Sequence, residues 1–173
     1  LSHEFSGATH VRIGFVDVPN PRFPSRSTRI DLSPESVDAI VFWTKDFRPM
    51  LPRLGDLRGV PFCVQFTLTS CGSAIEPHVP PPPERVEAFL ETSESIGRER
   101  MVWRYDPVLI AQGLGVEEHL RALEGLVPLL APRARRVVAS LYDSYPKSDR
   151  RLAAIGGRAP SGDEARAILA RLA

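Results

Sequence analysis

The sequence predicts an α/β protein with a parallel sheet, in the form of a partial or truncated (β/α) TIM-like barrel. Short apolar runs alternate along the chain with amphipathic stretches, which is the pattern of strands connected by helices. Residues 39–43 (AIVFW) are continuously apolar, as in a parallel strand that is buried on both faces. A closed barrel usually needs about 250 residues, whereas this chain has 173. We therefore expect one α/β domain over residues 1–173 that forms a partial barrel, or a barrel whose remaining repeats are absent from this chain.

The first third of the chain is predicted to hold two strands and two short helical pieces. Residues 11–18 (VRIGFVDV) alternate with period two, as a strand does. Residues 33–35 (SPE) combine a capping serine, a proline suited to the first helical position and a glutamate that favours the helix dipole. A helix of about one turn is therefore expected before the strand at 39–43. A weaker helix is expected over residues 47–57, where two prolines interrupt its start.

The rest of the chain is predicted to continue the alternation of strands and helices. The strands are apolar runs, and the helices are recognised by apolar residues at helical spacing or by capping residues, such as Gly97 and the Ser161–Glu164 box. The expected strands are residues 62–68, 101–104 and 136–141, and the expected helices are residues 84–96, 116–130 and 161–173.

Composition excludes several classes of protein. The net charge is +1, with 22 basic against 21 acidic residues, so the balance gives no support for a general polyanion binder. The two cysteines cannot build a disulfide framework, which makes a reducing cytoplasm the expected location. The sequence holds no apolar run of the roughly 20 residues that cross a bilayer, and we expect no membrane partner.

Polar side chains cluster where the predicted parallel strands end. The carboxyl ends of such strands meet at one edge of the sheet, where ligands of α/β proteins bind. Four successive strands present polar groups there, which favours a lined pocket over independent solvated loops. The candidate ligand-binding residues are Thr44, Gln65, Thr67, Thr69, Trp103, Tyr142 and Lys147, and the candidate catalytic residues are Lys45, Arg104 and Asp106.

The three candidate catalytic residues have distinct expected roles. Lys45 and Arg104 would bind an anionic group of a small ligand, such as a carboxylate or a phosphate, and Asp106 would orient Arg104 or move a proton. Three alternative interpretations stay open. Lys45 is then a solvated residue of a turn, and Arg104 and Asp106 form a purely structural pair. Trp43 and Trp103 are then core residues or a wall of the pocket.

Other chemistries lack the residues that they need. The four histidines are scattered without the spacing of a zinc site. Cys63 and Cys71 are eight positions apart and match neither Cys-x-x-Cys nor the triple-cysteine motif of radical S-adenosylmethionine enzymes. We therefore expect no metal ligands here and two reduced thiols.

Five segments in order resemble a bacterial family known as domain of unknown function 1848. They are IVFWTK (residues 40–45), VQFTLT (64–69), IEPHVP (75–80), IGRERMVWRYDPVLI (96–110) and ASLYDSYPK (139–147). The resemblance covers roughly residue 14 to the C-terminus. It implies a TIM-barrel-like fold similar to radical S-adenosylmethionine barrels, with an iron–sulfur site.

The iron–sulfur site that the resemblance implies does not carry over onto residues of this chain. Members of the family continue past the last helix into a cysteine-bearing segment, and their usual N-terminal stretch does not match LSHEFSGATH. The resemblance therefore implies that the domain over residues 1–173 is incomplete at its C-terminal end. We expect no cofactor to be bound by this chain alone, and an iron–sulfur cluster with S-adenosylmethionine in the complete protein.

Three functions follow from these observations. The favoured one is an enzyme-like barrel with an anion-binding pocket, its reaction unspecified, using radical S-adenosylmethionine-type chemistry in the complete protein. The second is a non-catalytic ligand- or partner-binding module built on the same pocket. The third, a nucleic-acid repair protein, is disfavoured by the balanced charge, although Arg133, Arg135 and Arg136 form a basic cluster that is read first as a solvated turn.

Overall fold

A computed structural model describes residues 15–20, 22–23, 25–33, 35–57, 59–144 and 146–172, with the side chains of 146–148 outside the description. The chain divides into two compact units. The first comprises residues up to 40 together with 49–62, and the second comprises residues 41–48 and 63–173.

The first unit contains an antiparallel hairpin. Strand β1 (Phe15–Pro19) pairs with strand β2 (Ser27–Asp31), and the Arg29 guanidinium donates two 3.0 Å hydrogen bonds to the Asp17 carboxylate across the pair. The predicted strand at 11–18 is thus confirmed from residue 15 onward, while residues 11–14 lie outside the described part. Strand β2 was not predicted, because its sequence (STRID) is mostly polar.

The one-turn helix expected at residues 33–35 is wrong. Ser33 and Glu35–Ser36 form a bend and a turn, and Pro34 lies outside the described residues. The Asp31 carboxylate accepts hydrogen bonds from the Ser33 N–H (2.9 Å) and the Ser36 hydroxyl (2.8 Å). These side-chain bonds stabilise a turn in place of a helical one. The helix predicted at residues 47–57 is a 3₁₀ helix over Arg48–Leu57. The internal Pro52 has no N–H for an α-helical hydrogen bond, which disfavours a regular α-helix here.

The core of the fold is a four-stranded parallel sheet, as predicted. Its strands are β3 (Ile40–Thr44), β4 (Phe62–Thr67), β5 (Met101–Val108) and β6 (Arg136–Leu141), and they lie in the order β3-β4-β5-β6. In the parallel register, Phe66 lies opposite Trp103, and Trp103 lies opposite Val137. The described strands form an open sheet that does not close into a barrel.

Among the described residues, four α-helices accompany the sheet: α1 (Pro82–Ile96), α2 (Val116–Leu130), α3 (Pro146–Ala153) and α4 (Gly162–Ala170). Helix α1 ends at Gly97, whose φ of 82° favours glycine. The predicted capping box opens α4, where Ser161 accepts from the Glu164 N–H. Helix α3 was not predicted, because its sequence (PKSDRRLA) has no apolar stripe. Within the described chain, none of the helices is both long and apolar enough to cross a membrane.

The sheet is covered on one face, whereas the sequence predicted cover on both. Phe66 and Trp103 are fully buried on the covered face, and Phe66 packs edge-on against Phe89 of α1 with ring centroids 5.2 Å apart. The other face is accessible at the edge strand β3, where Trp43 is 67% exposed and Val41 is 56% exposed, whereas Thr67 and Val102 on the inner strands are each only 5% exposed. The polar residues of β4 and β5 lie on this open face.

Candidate functional site

An open cleft of about 490 Å³ lies at the carboxyl ends of the parallel strands, within the second unit. This is the position at which α/β proteins bind ligands. Four of the candidate site residues line it, together with five residues that were not among the candidates. The lining residues are Trp43, Lys45, Thr67, Asp106, Pro107, Ser140, Leu141, Tyr142 and Asp143.

Beside the cleft, a chain of hydrogen bonds connects three strands. The Arg104 guanidinium donates through Nη1 to Gln65 Oε1 at 2.7 Å and through Nη2 to the Asp106 carboxylate. The second oxygen of Asp106 accepts from the Ser140 hydroxyl on β6. Because Arg104 and Asp106 are two positions apart on one strand, they share a face. Each is only 15% exposed, and Arg104 Nε has no partner within the described chain.

Trp43 completes this arrangement, although the sequence analysis did not place it in the site. Its indole N–H donates to Thr67 Oγ1 at 3.1 Å, which fixes the orientation of the ring. The Arg104 guanidinium stacks 4.0 Å from the ring centroid, a cation–π contact. The signal that could have found Trp43 is its place just before Thr44 and Lys45, at the end of a strand.

Lys45 takes part in an ionic cluster that the sequence did not reveal. Its ammonium pairs with Glu76, and the other carboxylate oxygen of Glu76 lies 3.4 Å from Arg85 Nη1. Arg85 is 2% exposed and donates through Nη2 to the Cys71 carbonyl at 2.9 Å. Glu76 and Arg85 also line a smaller cavity of about 170 Å³. One carboxylate thus balances two cations next to the cleft.

The turn after β3 positions Lys45. The Thr44 hydroxyl donates to the Asp46 carbonyl at 2.7 Å and accepts from the Asp46 N–H at 3.1 Å, so this predicted ligand-binding hydroxyl is engaged in the turn. The Asp46 carboxylate accepts two bonds from the Arg48 guanidinium, and these hydrogen bonds lower the pKa of Asp46.

The remaining candidates are placed in different surroundings. Trp103 is fully buried on the covered face and donates to the Leu68 carbonyl at 2.9 Å, so the structure does not bring it to the cleft. Thr69 is 1% exposed and accepts from the Cys71 N–H at 3.3 Å. Tyr142 lines the cleft, and its hydroxyl donates to Asp149 at 2.7 Å. The side chain of Lys147 lies outside the described part of the chain.

A second polar cluster, which the sequence analysis missed, is buried under the sheet. His119 on α2 is fully buried, and its Nε2 donates to the Leu109 carbonyl at 2.9 Å. Its Nδ1 is therefore an acceptor, and the Tyr105 hydroxyl lies 2.7 Å and the Ser70 hydroxyl 3.0 Å from it. The two hydroxyls are also hydrogen-bonded to each other at 2.7 Å. Burial lowers the pKa of His119 and raises the pKa of Tyr105 to about 12. This network fastens α2 to the sheet.

The described residues do not fit an iron–sulfur cluster. Across the described ranges, His, Cys, Asp and Glu side chains form no group of three that could hold a metal ion. Cys63 is half-buried and Cys71 is buried, both as free thiols, and burial raises the pKa of the Cys71 thiol. No chemical step is therefore derived through a cluster. We predict that both thiols stay reduced.

Comparison with protein families assigns the chain. The sequence model of the family described as Domain of unknown function (DUF1848) matches residues 8–173, which is nearly the whole chain. The chain belongs to the DUF1848 family. This confirms the family resemblance drawn from the segments between residues 40 and 147. No curated protein and no solved structure matches the sequence, and the description of the DUF1848 family names no activity.

Proposed function

We propose that this DUF1848 domain is part of an enzyme that binds a small anionic ligand in the cleft at the carboxyl ends of its strands. The observation that carries the proposal is the pair of cationic side chains there, Lys45 lining the cleft and Arg104 on its polar network. In this proposal the sheet is one part of a TIM-like barrel in a cytoplasmic bacterial protein. A carboxylate or a phosphate is the ligand group that suits both cations.

The energetic cost of the Arg104 network supports a binding role. A charged pair that is 15% exposed loses hydration on folding, and an unpartnered guanidinium Nε adds to that loss. An apolar pair at these positions would avoid both costs. Polar groups of this kind concentrate at functional sites, where a ligand supplies the missing interactions.

The proposed roles follow from the contacts. Asp106 holds the guanidinium of Arg104 by accepting from it, and Ser140 holds Asp106 in turn. Lys45 shares Glu76 with Arg85, so an incoming anion can take over part of its pairing. Thr67 fixes Trp43 as a wall of the cleft. An iron–sulfur cluster with S-adenosylmethionine remains a proposal for the complete protein, and none of these roles depends on it.

The substitution Arg104→Lys tests the anion site. Lysine keeps the charge and loses the planar, two-pronged donor, so the affinity for a bound carboxylate or phosphate should fall about tenfold or more. The measurement is isothermal calorimetry with a panel of small carboxylates and organic phosphates, beside thermal melting of the same sample. The matched control is Arg121→Lys, on an exposed arginine of α2, which should change neither readout.

A structural role for Arg104 predicts the reverse outcome. If Arg104 serves only Asp106 and Gln65, the variant melts at a lower temperature and its folded fraction binds anions with unchanged affinity. That result would contradict the proposal.

The second candidate function is a non-catalytic binding module. It is favoured by the pairing of the cations, since Lys45 and Arg104 already contact carboxylates. Following a bound ligand over time by mass spectrometry separates the two candidates. Conversion of the ligand supports an enzyme, and recovery of unchanged ligand from the complete protein supports a binding module.

A further inference from the structure

Five exposed arginines from two distant parts of the sequence meet at the amino end of the sheet, on what we call the arginine surface. Arg98 and Arg100 belong to the short 3₁₀ helix Arg98–Arg100, and Arg133 ends the short 3₁₀ helix Ala131–Arg133. Arg135 and Arg136 lead into β6. More than thirty residues separate the two groups, so the sequence alone does not show that they are neighbours.

Backbone contacts establish that the two groups are adjacent. Arg98 Nη2 donates to the Ala134 carbonyl at 3.2 Å, and the Arg135 N–H donates to the Met101 carbonyl at 2.9 Å. In the parallel register, Arg136 lies opposite Val102 near the start of β5. The arginine surface therefore lies at the amino ends of β5 and β6, whereas the cleft lies at their carboxyl ends.

The arginine surface is strongly cationic although the whole chain is nearly neutral. The acidic residues next to this surface in the sequence are Glu99, which lies 3.5 Å from Arg98, and Glu94 in the last turn of α1. Arg100 and Arg133 each donate one bond to a carbonyl at the end of the preceding helix, at 3.0 Å. These bonds anchor the two exposed guanidinium groups at the ends of their helices.

We propose that the arginine surface binds the phosphate backbone of double-stranded nucleic acid without reading its sequence. All five cations are arginines, whose planar fork matches two phosphate oxygens better than an ammonium does. Contacts of this kind position a duplex and carry no base specificity. The surface is separate from the anion site of the cleft, so a test of one proposal does not decide the other.

The side chains around the arginines favour a nucleic acid over other anionic partners. None of the large exposed hydrophobic residues in the described chain lies on this surface. Protein interfaces are anchored on apolar or aromatic residues, and membrane-binding surfaces insert apolar side chains. Single strands are held by stacking of bases on aromatic rings. A duplex backbone needs only the cations that are present.

Fluorescence anisotropy of a labelled DNA duplex of about 20 base pairs tests the proposal. We expect a Kd between about 10⁻⁶ and 10⁻⁴ M at physiological salt, typical of non-specific binding, tighter binding at low salt, and the same values for an unrelated sequence. The logarithm of the affinity should fall with the logarithm of the salt concentration with a slope of about −3 to −4, since up to five phosphates are neutralised.

Two matched double variants locate the binding. Arg135→Gln with Arg136→Gln removes two exposed charges at the start of β6. It should reduce the affinity about tenfold and the magnitude of the salt slope by about 2. Arg150→Gln with Arg151→Gln changes the net charge equally, on exposed residues of α3 near the carboxyl end of β6. This control should bind as the natural chain does. Circular dichroism verifies that both variants fold.

Each other outcome overturns the proposal. Absence of binding at low salt refutes it directly, and equal losses for the two variants show that net charge alone is responsible. Stronger binding of poly-glutamate, or of vesicles that contain phosphatidylserine, assigns the surface to an acidic protein or to a membrane. A strong preference for one duplex sequence shows that bases are read.

Discussion

At the scale of single residues, Glu76 connects the exposed and buried parts of the site. It accepts from Lys45, which is 31% exposed, and lies beside Arg85, which is 2% exposed. A pair with a partly exposed lysine contributes at most about 1 kcal/mol, because water screens it. A buried guanidinium that loses its carboxylate is an uncompensated charge and costs several times more.

The substitution Glu76→Gln should therefore destabilise the fold more than Lys45→Met. We expect a loss of about 3 kcal/mol in the free energy of unfolding for Glu76→Gln and less than about 1 kcal/mol for Lys45→Met. Urea unfolding measures both. Combining Glu76→Gln with Arg85→Met should recover part of the loss, since the unpaired charge is gone. Equal effects of the two single variants would show that Arg85 does not depend on Glu76.

At the scale of elements, the fully buried His119 couples the attachment of α2 to pH. The folded state holds a neutral imidazole, because burial lowers its pKa below the ordinary value of 6.5. The unfolded chain takes up its proton near pH 6.5, so protonation favours unfolding below that pH. The stabilisation from His119 is complete above pH 6.5 and is lost as the pH falls towards the folded-state pKa.

The substitution His119→Gln should remove this pH dependence. We expect the variant to be less stable than the natural chain at pH 7.5, because the bonds to Tyr105 and Leu109 are disturbed, and its stability to change less between pH 7 and pH 5. Urea unfolding across this range provides the measurement. His78→Gln, on an exposed histidine, is the matched control substitution. An unchanged slope in His119→Gln would assign the effect to other groups.

The elements also show where sequence reasoning succeeds. Parallel strands covered by helices must be apolar, so β3 to β6 and the helices α1, α2 and α4 were predictable. Strand β2 and helix α3 have polar sequences. Both elements depend on pairing and local contacts, and neither has a hydrophobic periodicity from which it could be predicted. The Asp31 turn was mistaken for a helix start because both use short polar side chains.

The site was predictable only in part, for a related reason. Strand ends can be located from apolar runs, which is why Lys45, Thr67, Asp106 and Tyr142 were placed at the cleft. Side chains of a strand alternate between the two faces of the sheet. Which tryptophan faces the cleft therefore depends on its position in that alternation and on which face the helices cover. Trp103 lies on the covered face and Trp43 on the open one. Glu76 comes from a loop, where no pattern in the sequence specifies a contact.

At the scale of the whole sheet, β5 is the most protected strand. It pairs with β4 on one side and β6 on the other, and Met101, Trp103 and Tyr105 are fully buried. Amides of such a strand exchange only when the whole structure opens. Hydrogen exchange followed by mass spectrometry should therefore find the slowest amides at residues 102–105 and much faster exchange in the exposed hairpin β1–β2. Slower exchange in the hairpin than in β5 would contradict this.

The order of the strands in the sheet is also their order along the chain, β3-β4-β5-β6. Each of the strands β4, β5 and β6 therefore pairs with the strand that precedes it in the sequence, and this pairing does not require a segment that is synthesised later. Paired residues of neighbouring strands, such as Val64 with Met101 and Val102 with Arg136, are about 35 positions apart, so each pairing closes a loop much shorter than the whole chain and loses less entropy than a pairing of distant segments would. On the ribosome, the sheet can extend one strand at a time as each segment emerges, with β4 providing the edge on which β5 assembles.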